Sequence, residues 1–411
     1  MSSAATHRES HRAIPAVVLP FLVSRVLFLV LTPLALHLWG PLHLQGLATR
    51  YAGAPGDYWY RWDAVWYLRI ATDGYQQPPY PFSQGVVFFP LYPSLLHVLL
   101  LFWPWSRALA AVILTNLCCL GVFLALYRVV ELDYGPRHAA RSVWLLALFP
   151  TSLFLFAGYS ESLFLLLFLL CCYLARLHRW WWAGLAGGLA TATRSVGIVA
   201  LLPFVVPWYE IYGASLRHAM APGHEASRRD ELPNEPRSTA AAVRALSAVL
   251  LIPAGIGGYA LYLGLRFGHP LLFSTGETAW RRAITAPWRT VWLAAAALAA
   301  HPPAVGLAGL VGSQDSLFLL VFLVLSLPAT VLLTRAHALV LWGVWLVALS
   351  TPAVLGHYPD PLISLPRYLL AAFPLFIFLA ATPRRTFIAA VCFSTLLVLN
   401  TIVFLSGGWV A

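Results

Sequence analysis

Apolar runs long enough to cross a bilayer recur from one end of this sequence to the other, and they constrain the fold before any motif is considered. The first, Ile14–Trp39, exceeds the ~20 residues a spanning helix needs and has no small-residue cleavage pattern after it, so it reads as an uncleaved first span. With 60% hydrophobic and 10% charged residues, the chain lies far from the ~25% charged content of ordinary soluble domains. The expected fold is an all-α polytopic membrane protein. A formal charge of +11 would suit nucleic acid if the basic residues were clustered on one surface. All 26 are arginines, placed mostly in loops between apolar runs, which is the pattern of membrane topology and excludes nucleic acid as a partner.

Arg8 and Arg12 precede the first span and place the N-terminus in the cytoplasm. The polar, Gly- and Pro-containing stretch that follows is then the first extracytoplasmic loop, 40–106. Within it, the apolar part after Pro93 runs only about ten residues to Trp103-Pro104, too few to cross, and reads as a half-embedded helix on the outer face. Further spans are expected at 107–128, 142–158, 161–177, 181–193, 197–212, 241–264, 315–334, 337–356, 368–382 and 386–406, about eleven crossings in a single membrane domain of residues 1–411. This arrangement places Arg128, Arg137, Arg141, Arg176, Arg179, Arg335, Arg384 and Arg385 in the cytoplasm, together with the arginines of the polar loop 213–240. The five cysteines all fall inside apolar runs, with no spacing that suits a metal or a disulfide framework.

Ionisable residues near a bilayer are costly and are retained for pairing or function. The acids outside the cytoplasmic loops are Asp57, Asp63, Asp73, Glu161, Glu277, Asp315 and Asp360, and all map to the outer side. Three of them lie in the tryptophan-rich stretch "DYWYRWDAVWYLRIATDGY", Asp57–Tyr75. With Asp57 as N-cap and Gly74 as stop, Tyr58–Thr72 reads as an amphipathic helix along the membrane surface. Trp59, Trp62, Trp66 and Ile70 form its apolar stripe, with Tyr60, Asp63 and Tyr67 on a neighbouring face. Asp57 and Asp73 are cap residues on this reading, whereas Asp63 sits mid-helix without a local role. Two readings of Asp63 stand level: a general base, or an anchor paired with Arg61, Arg69 or another loop arginine.

The stretch "RWDAVWYLRIATDGY", followed by "VVFFPLYP", resembles the signature of the PIG-V family of membrane mannosyltransferases. Four more segments resemble it in the same order: "GYSESLF" (158–164), "TATRSVGI" (191–198), "RFGHPLLFSTGETAWRR" (266–282) and "SLPRYLLAAFPLF" (364–376). The resemblance implies a GT-C-like bundle with juxtamembrane helices in the first outer loop. It also implies transfer of a sugar, mannose above others, from a polyprenyl-phosphate donor to a lipid-linked or cell-envelope glycan acceptor outside a bacterial plasma membrane. By motif position, Asp63 is then the catalytic base. Gln76 and Gln77 stand where animal members carry a Glu, and Val65 where some eukaryotic members are acidic, so a GPI-precursor acceptor does not carry across.

Attack on an anomeric carbon that bears a phosphate leaving group needs one base and a cation for the phosphate, not the two carboxylates of a glycosidase. Arg194, at an expected helix break, and Arg367, at the outer start of a span, are the leading phosphate ligands, because a guanidinium fork matches phosphate geometry. Arg281, beside Arg282, is a further phosphate candidate or a surface anchor. Glu161 reads as a helix-end charge or an acceptor-hydroxyl ligand, and Tyr67 and Trp62 are expected to line the substrate site. No cofactor or metal is expected, since the nearest match to a D-x-D site, Glu131-Leu-Asp133, lies on the cytoplasmic side and reads as structural. The competing readings are a transporter or flippase, which should show repeated halves and midplane charges, and a non-catalytic subunit. A partner subunit is compatible with either.

Overall fold

The computed structural model describes residues 3–39, 57–76, 82–103, 106–220, 239–300, 314–353 and 362–410. Among them the protein is helical throughout. Six segments among the described residues are long and apolar enough to cross a membrane: Ala13–Ala35, Arg107–Tyr134, Ser195–Gly213, Thr239–Phe267, Gln314–Leu332 and Pro383–Leu405. Leu91–Phe102 and Arg335–Ser350 are shorter apolar helices. The first of these rises only ~18 Å at 1.5 Å per residue, well short of a ~30 Å hydrocarbon core. Asp360 and most of the loop 213–240 fall outside the described residues.

Two expected spans are not continuous helices. The segment expected at 142–158 is a helix that stops at Leu148, a turn through Phe149-Pro150, and a short 3-10 helix, Ser152–Leu155. The segment expected at 368–382 divides into Leu365–Tyr368, a 3-10 turn at Leu369–Ala371, and Pro374–Leu379. Pro150, Pro366, Pro374 and Pro383 explain the breaks, because proline donates no N–H and disfavours a helical residue before it. The carbonyls freed by the breaks find partners. Thr151 Oγ1 donates to the Pro366 carbonyl at 3.0 Å, and Asn400 Nδ2 to the Pro150 carbonyl at 3.0 Å. Irregular backbone is tolerated at membrane depth only where protein or a cavity surrounds it, so these two breaks mark an interior.

Arg25 sits in the first apolar helix with no carboxylate partner among the described residues. Its guanidinium donates to Asn116 Oδ1 at 2.8 Å, to Ser24 Oγ at 2.9 Å and to the Leu155 carbonyl at 2.9 Å, and it lies 4.3 Å from the Phe21 ring centroid. Neutral acceptors and an aromatic face thus satisfy the charge and fasten the first helix to the helix Arg107–Tyr134 and to the broken segment.

Helices Trp180–Thr193 and Leu251–Phe267 approach backbone to backbone through glycine. A Cβ on Gly188 would lie 2.3 Å from the Leu251 carbonyl oxygen, and one on Gly255 2.0 Å from the Gly188 carbonyl oxygen. Thr191 Oγ1 bridges the contact by donating to the Ile252 carbonyl at 2.6 Å. Small residues permit this packing where lipid offers no hydrophobic drive between helices. Gly188→Ala should therefore lower stability by about 1–3 kcal/mol, read as a lower Tm in detergent, because the blocking atom is backbone and cannot rotate away.

Helix Glu161–Arg176 separates two groups of ionisable residues by its own length, ~22 Å. At its far end Arg176 pairs with Asp133, and Glu131 pairs with Arg128 at 2.8 Å, so both acids of the near D-x-D match are held by arginines. Among the described residues no three His, Cys, Asp or Glu side chains gather as metal ligands. At its near end lies Glu161 itself.

Candidate functional site

Four of the residues singled out in the sequence meet in one buried chain of charges. Arg367 Nη1 lies 2.6 Å from Asp63 Oδ2, and its Nε lies 3.0 Å from Glu161 Oε1, which also pairs with Arg194. Asp63, Glu161 and Arg367 are all at least nine-tenths buried. The four formal charges cancel, which is how two guanidinium groups and two carboxylates persist out of water. The pairing is close but poorly aligned: no N–H of Arg367 Nε or Nη1 is aimed well enough at an oxygen to form a hydrogen bond, and Glu161 Oε2 is buried without a donor. Donors and acceptors thus remain in place for a polar ligand.

The local backbone explains how each side chain is delivered. The expected helix Tyr58–Thr72 is corrected: a 3-10 turn, Asp57–Trp59, precedes a helix that begins at Asp63 and runs to Asp73, with Gly74 ending it at φ +72°. Asp63 is therefore in the first helical turn, not mid-helix, and Asp57 does not cap the helix. Trp62, at φ +54°, makes the sharp entry, an uncommon conformation for a bulky residue and costly unless its surroundings hold it. Ser364, at φ +74°, makes a comparable entry to the short helix that carries Arg367. Nor does the Asp63 helix lie along a surface, since Ala64, Val65, Trp66, Tyr67, Leu68 and Ala71 are all buried. The partner of Asp63 is neither Arg61 nor Arg69 but Arg367, from a segment some three hundred residues away in sequence.

Arg194 is in extended backbone, φ −155°, between helix Trp180–Thr193 and the 3-10 turn Ser195–Ala200, so the expected break is present. Gly197 makes the return possible, because a Cβ there would lie 2.7 Å from the backbone of Ala190. Tyr67 joins the cluster through Ser160: its hydroxyl is 2.6 Å from Ser160 Oγ, which also receives a long 3.5 Å contact from Arg194 Nη1. Burial pushes the Tyr67 phenol upward, outweighing the Arg194 charge, so it stays neutral. The guanidinium of Arg367 lies 5.4 Å from the Phe154 ring and 5.7 Å from the Tyr159 ring, both supplied by the broken segment after Leu148.

Arg281 and Trp62 are not brought into this cluster. Arg281 is exposed at φ +59°, a turn that sends its neighbour inward. Arg282 donates to the Thr351 carbonyl at 2.8 Å and the Ile363 carbonyl at 2.7 Å. Its guanidinium lies 5.5 Å from the Tyr368 ring, which Arg194 approaches at 5.6 Å. Trp62 is 43% exposed and packs edge-on against Trp409 at 5.3 Å.

Three residues here had no role in the sequence reading: Ser160, Tyr368 and Glu277. Glu277 makes no ion pair within 4 Å among the described residues. Burial raises its carboxyl above the usual range, opposed by the Arg282 and Arg194 charges and reinforced by Asp63. Its sequence signal was membership of the outer-face acids, but nothing in the spacing showed that the segment 276–282 folds back over the cluster.

A buried, self-neutralising group of carboxylates and guanidiniums at one end of an all-α, polytopic membrane protein defines the class. The family likeness is given by sequence: residues 14–218 match the family described as Mannosyltransferase (PIG-V). It is 34% identical over 151 residues to GPI alpha-1,6-mannosyltransferase 2 of Cricetulus griseus, and 33% identical over 151 residues to that of Mus musculus. Each match covers 34% of this chain and 30% of the relative, so less than a third of those proteins' length is matched. A crystal structure of the Archaeoglobus fulgidus oligosaccharyltransferase complex with Zn and sulfate is 13% identical, with a TM-score of 0.35, over 91% of this chain and 53% of that one. A likeness of that size decides nothing about this fold.

Proposed function

We propose that the protein is an inverting, GT-C-like glycosyltransferase that moves mannose from a polyprenyl-phosphate donor to a hydroxyl of a lipid-linked or envelope acceptor. The observation that carries the proposal is the joining of Asp63, Glu161, Arg194 and Arg367 from four distant segments into one buried cluster. In the reaction, an acceptor hydroxyl gives its proton to Asp63 as its oxygen attacks the anomeric carbon from the face opposite the phosphate. The bond from that carbon to the phosphate oxygen breaks, and the phosphate leaves with the electron pair toward Arg367 and Arg194. Because Arg367 is already paired with Asp63, an arriving phosphate competes for the guanidinium. Turning Arg367 toward the phosphate frees Asp63 to act as a base, so the donor prepares its own acceptor site.

The deciding assay supplies purified protein with radiolabelled polyprenyl-phosphate-mannose and host membrane extract, followed by identification of the labelled product. Label that stays on the donor under all conditions would refute the reading. The proposed outer location of the site carries its own test, since the sequence places the C-terminal segment outside and the loop 213–240 inside. Single cysteines at Ser406 and Ser227, in a cysteine-free background, should react with an impermeant reagent from opposite sides. Ser406 is preferable to Gly408, where a Cβ would lie 2.5 Å from Val403 Cγ1. Labelling of both from one side would mean that the number of crossings between them is off by one.

A further inference from the structure

Arg61, like Arg25, is a buried arginine that the cluster does not use. It is 5% exposed, its Nε donates to the Tyr58 carbonyl at 3.2 Å, and its Nη2 is buried with no partner. Among the described residues no carboxylate lies within 4 Å of it, in contrast to Arg194 and Arg367, which each hold at least one. Burial pulls its basicity down, outweighing the opposing effect of Tyr58 and Tyr159. Such a group is costly unless an anion completes it.

A second orphan donor lies on the segment packed against it. Gly407, exposed and at φ +83°, runs beside the guanidinium, and a Cβ there would sit 3.1 Å from Arg61 Nη1. Two residues on, Trp409 stacks edge-on against Trp62, and its Nε1 is buried without an acceptor. The Tyr58–Trp62 and Gly407–Trp409 segments thus present a guanidinium and an indole N–H and no carboxylate. Donors without acceptors suit an oxyanion, and a guanidinium fork suits phosphate. The Gly407–Trp409 segment follows directly on the apolar helix Pro383–Leu405, so it lies where a spanning helix reaches the headgroups.

We infer that Arg61 and Trp409 form a second phosphate subsite, separate from Arg194 and Arg367, that takes the phosphodiester headgroup of a lipid. Its assignment to the acceptor lipid rests on the proposed transfer reaction; the binding itself does not. The balance of charge favours a separate subsite, because the carboxylates already neutralise Arg194 and Arg367 and leave no excess cation there for a second phosphate.

The test is equilibrium binding of radiolabelled phosphatidylglycerol, and separately of polyprenyl-phosphate-mannose, to the purified full chain in detergent. Arg61→Gln should weaken phosphatidylglycerol binding by about tenfold or more, the worth of a charge-assisted hydrogen bond. Trp409→Phe keeps an aromatic ring against Trp62 while removing the N–H and part of the indole, so it should weaken binding about threefold, and it serves even where Arg61→Gln folds poorly. Polyprenyl-phosphate-mannose affinity should stay unchanged in both. Undiminished phosphatidylglycerol binding in both variants overturns the subsite, as does an equal loss of the mannose donor, which would place Arg61 in the donor site. Complete displacement by millimolar inorganic phosphate would indicate a free-anion site and overturn the lipid assignment. Failure of the wild-type protein to bind the mannose donor counts against the transferase reading alone.

Discussion

Asp63→Asn should lower turnover by about 10²- to 10⁴-fold, the usual cost of losing a general base, while polyprenyl-phosphate-mannose still binds. Asparagine keeps the volume and one acceptor oxygen, and Arg367 retains Glu161, so the protein should fold with a modest fall in Tm. Asp63→Glu should restore little, because an added methylene displaces the carboxylate from the acceptor hydroxyl and drives it into Arg367, already at 2.6 Å. Asp73→Asn is the matched control: Asp73 is exposed at the other end of the same helix and should leave most activity in place. The measurement is single-turnover transfer at saturating donor. Near wild-type transfer by Asp63→Asn would remove the base from the mechanism and direct attention to Glu277, the other carboxylate over the cluster.

Removal of Arg367 should have the largest effect on the folded state. Arg367→Ala leaves Asp63 and Glu161 buried with Arg194 as their one remaining cation, and breaking such a pair costs about 3–5 kcal/mol. A large drop in Tm and loss of donor binding should therefore appear together. Arg367→Lys separates these effects. It keeps the charge that neutralises the carboxylates, so most of the stability should remain, but a single ammonium cannot serve Asp63, Glu161 and a phosphate as a planar fork does. Donor affinity should fall about tenfold or more, as for a lost charge-assisted hydrogen bond. A lysine variant with normal donor affinity would refute Arg367 as the phosphate ligand, and an alanine variant of normal stability would refute the charge accounting.

The residue types of the site were legible before the structure because a bilayer makes ionisable groups scarce. In a chain where charged residues are 10% of the total, location narrowed the acids to seven on the outer side, Asp63 and Glu161 among them, while an expected helix break and the start of a span picked out Arg194 and Arg367. Gly74 as a helix stop and Arg194 at a break followed from local backbone chemistry. The expected continuous spans at 142–158 and 368–382 failed because length and hydropathy outweighed the prolines in that reading, although Pro150, Pro366 and Pro374 were the signal. The helix start at Asp63 was missed for a different reason: Trp62 at positive φ has no sequence signature, since local preference argues against it and only its tertiary surroundings hold it there.

By itself, then, the sequence determined that the chain is a helical membrane protein and where its charges are permitted, because these follow from transfer free energies that act residue by residue. Pairing was decided by tertiary structure alone. Asp63 has arginines two before and six after it in the sequence, yet takes Arg367; of the adjacent Arg281 and Arg282, one turns outward and the other inward. Such choices depend on which broken segments meet. Contacts between residues hundreds of positions apart are set by the packing of the whole chain, and no local pattern encodes them.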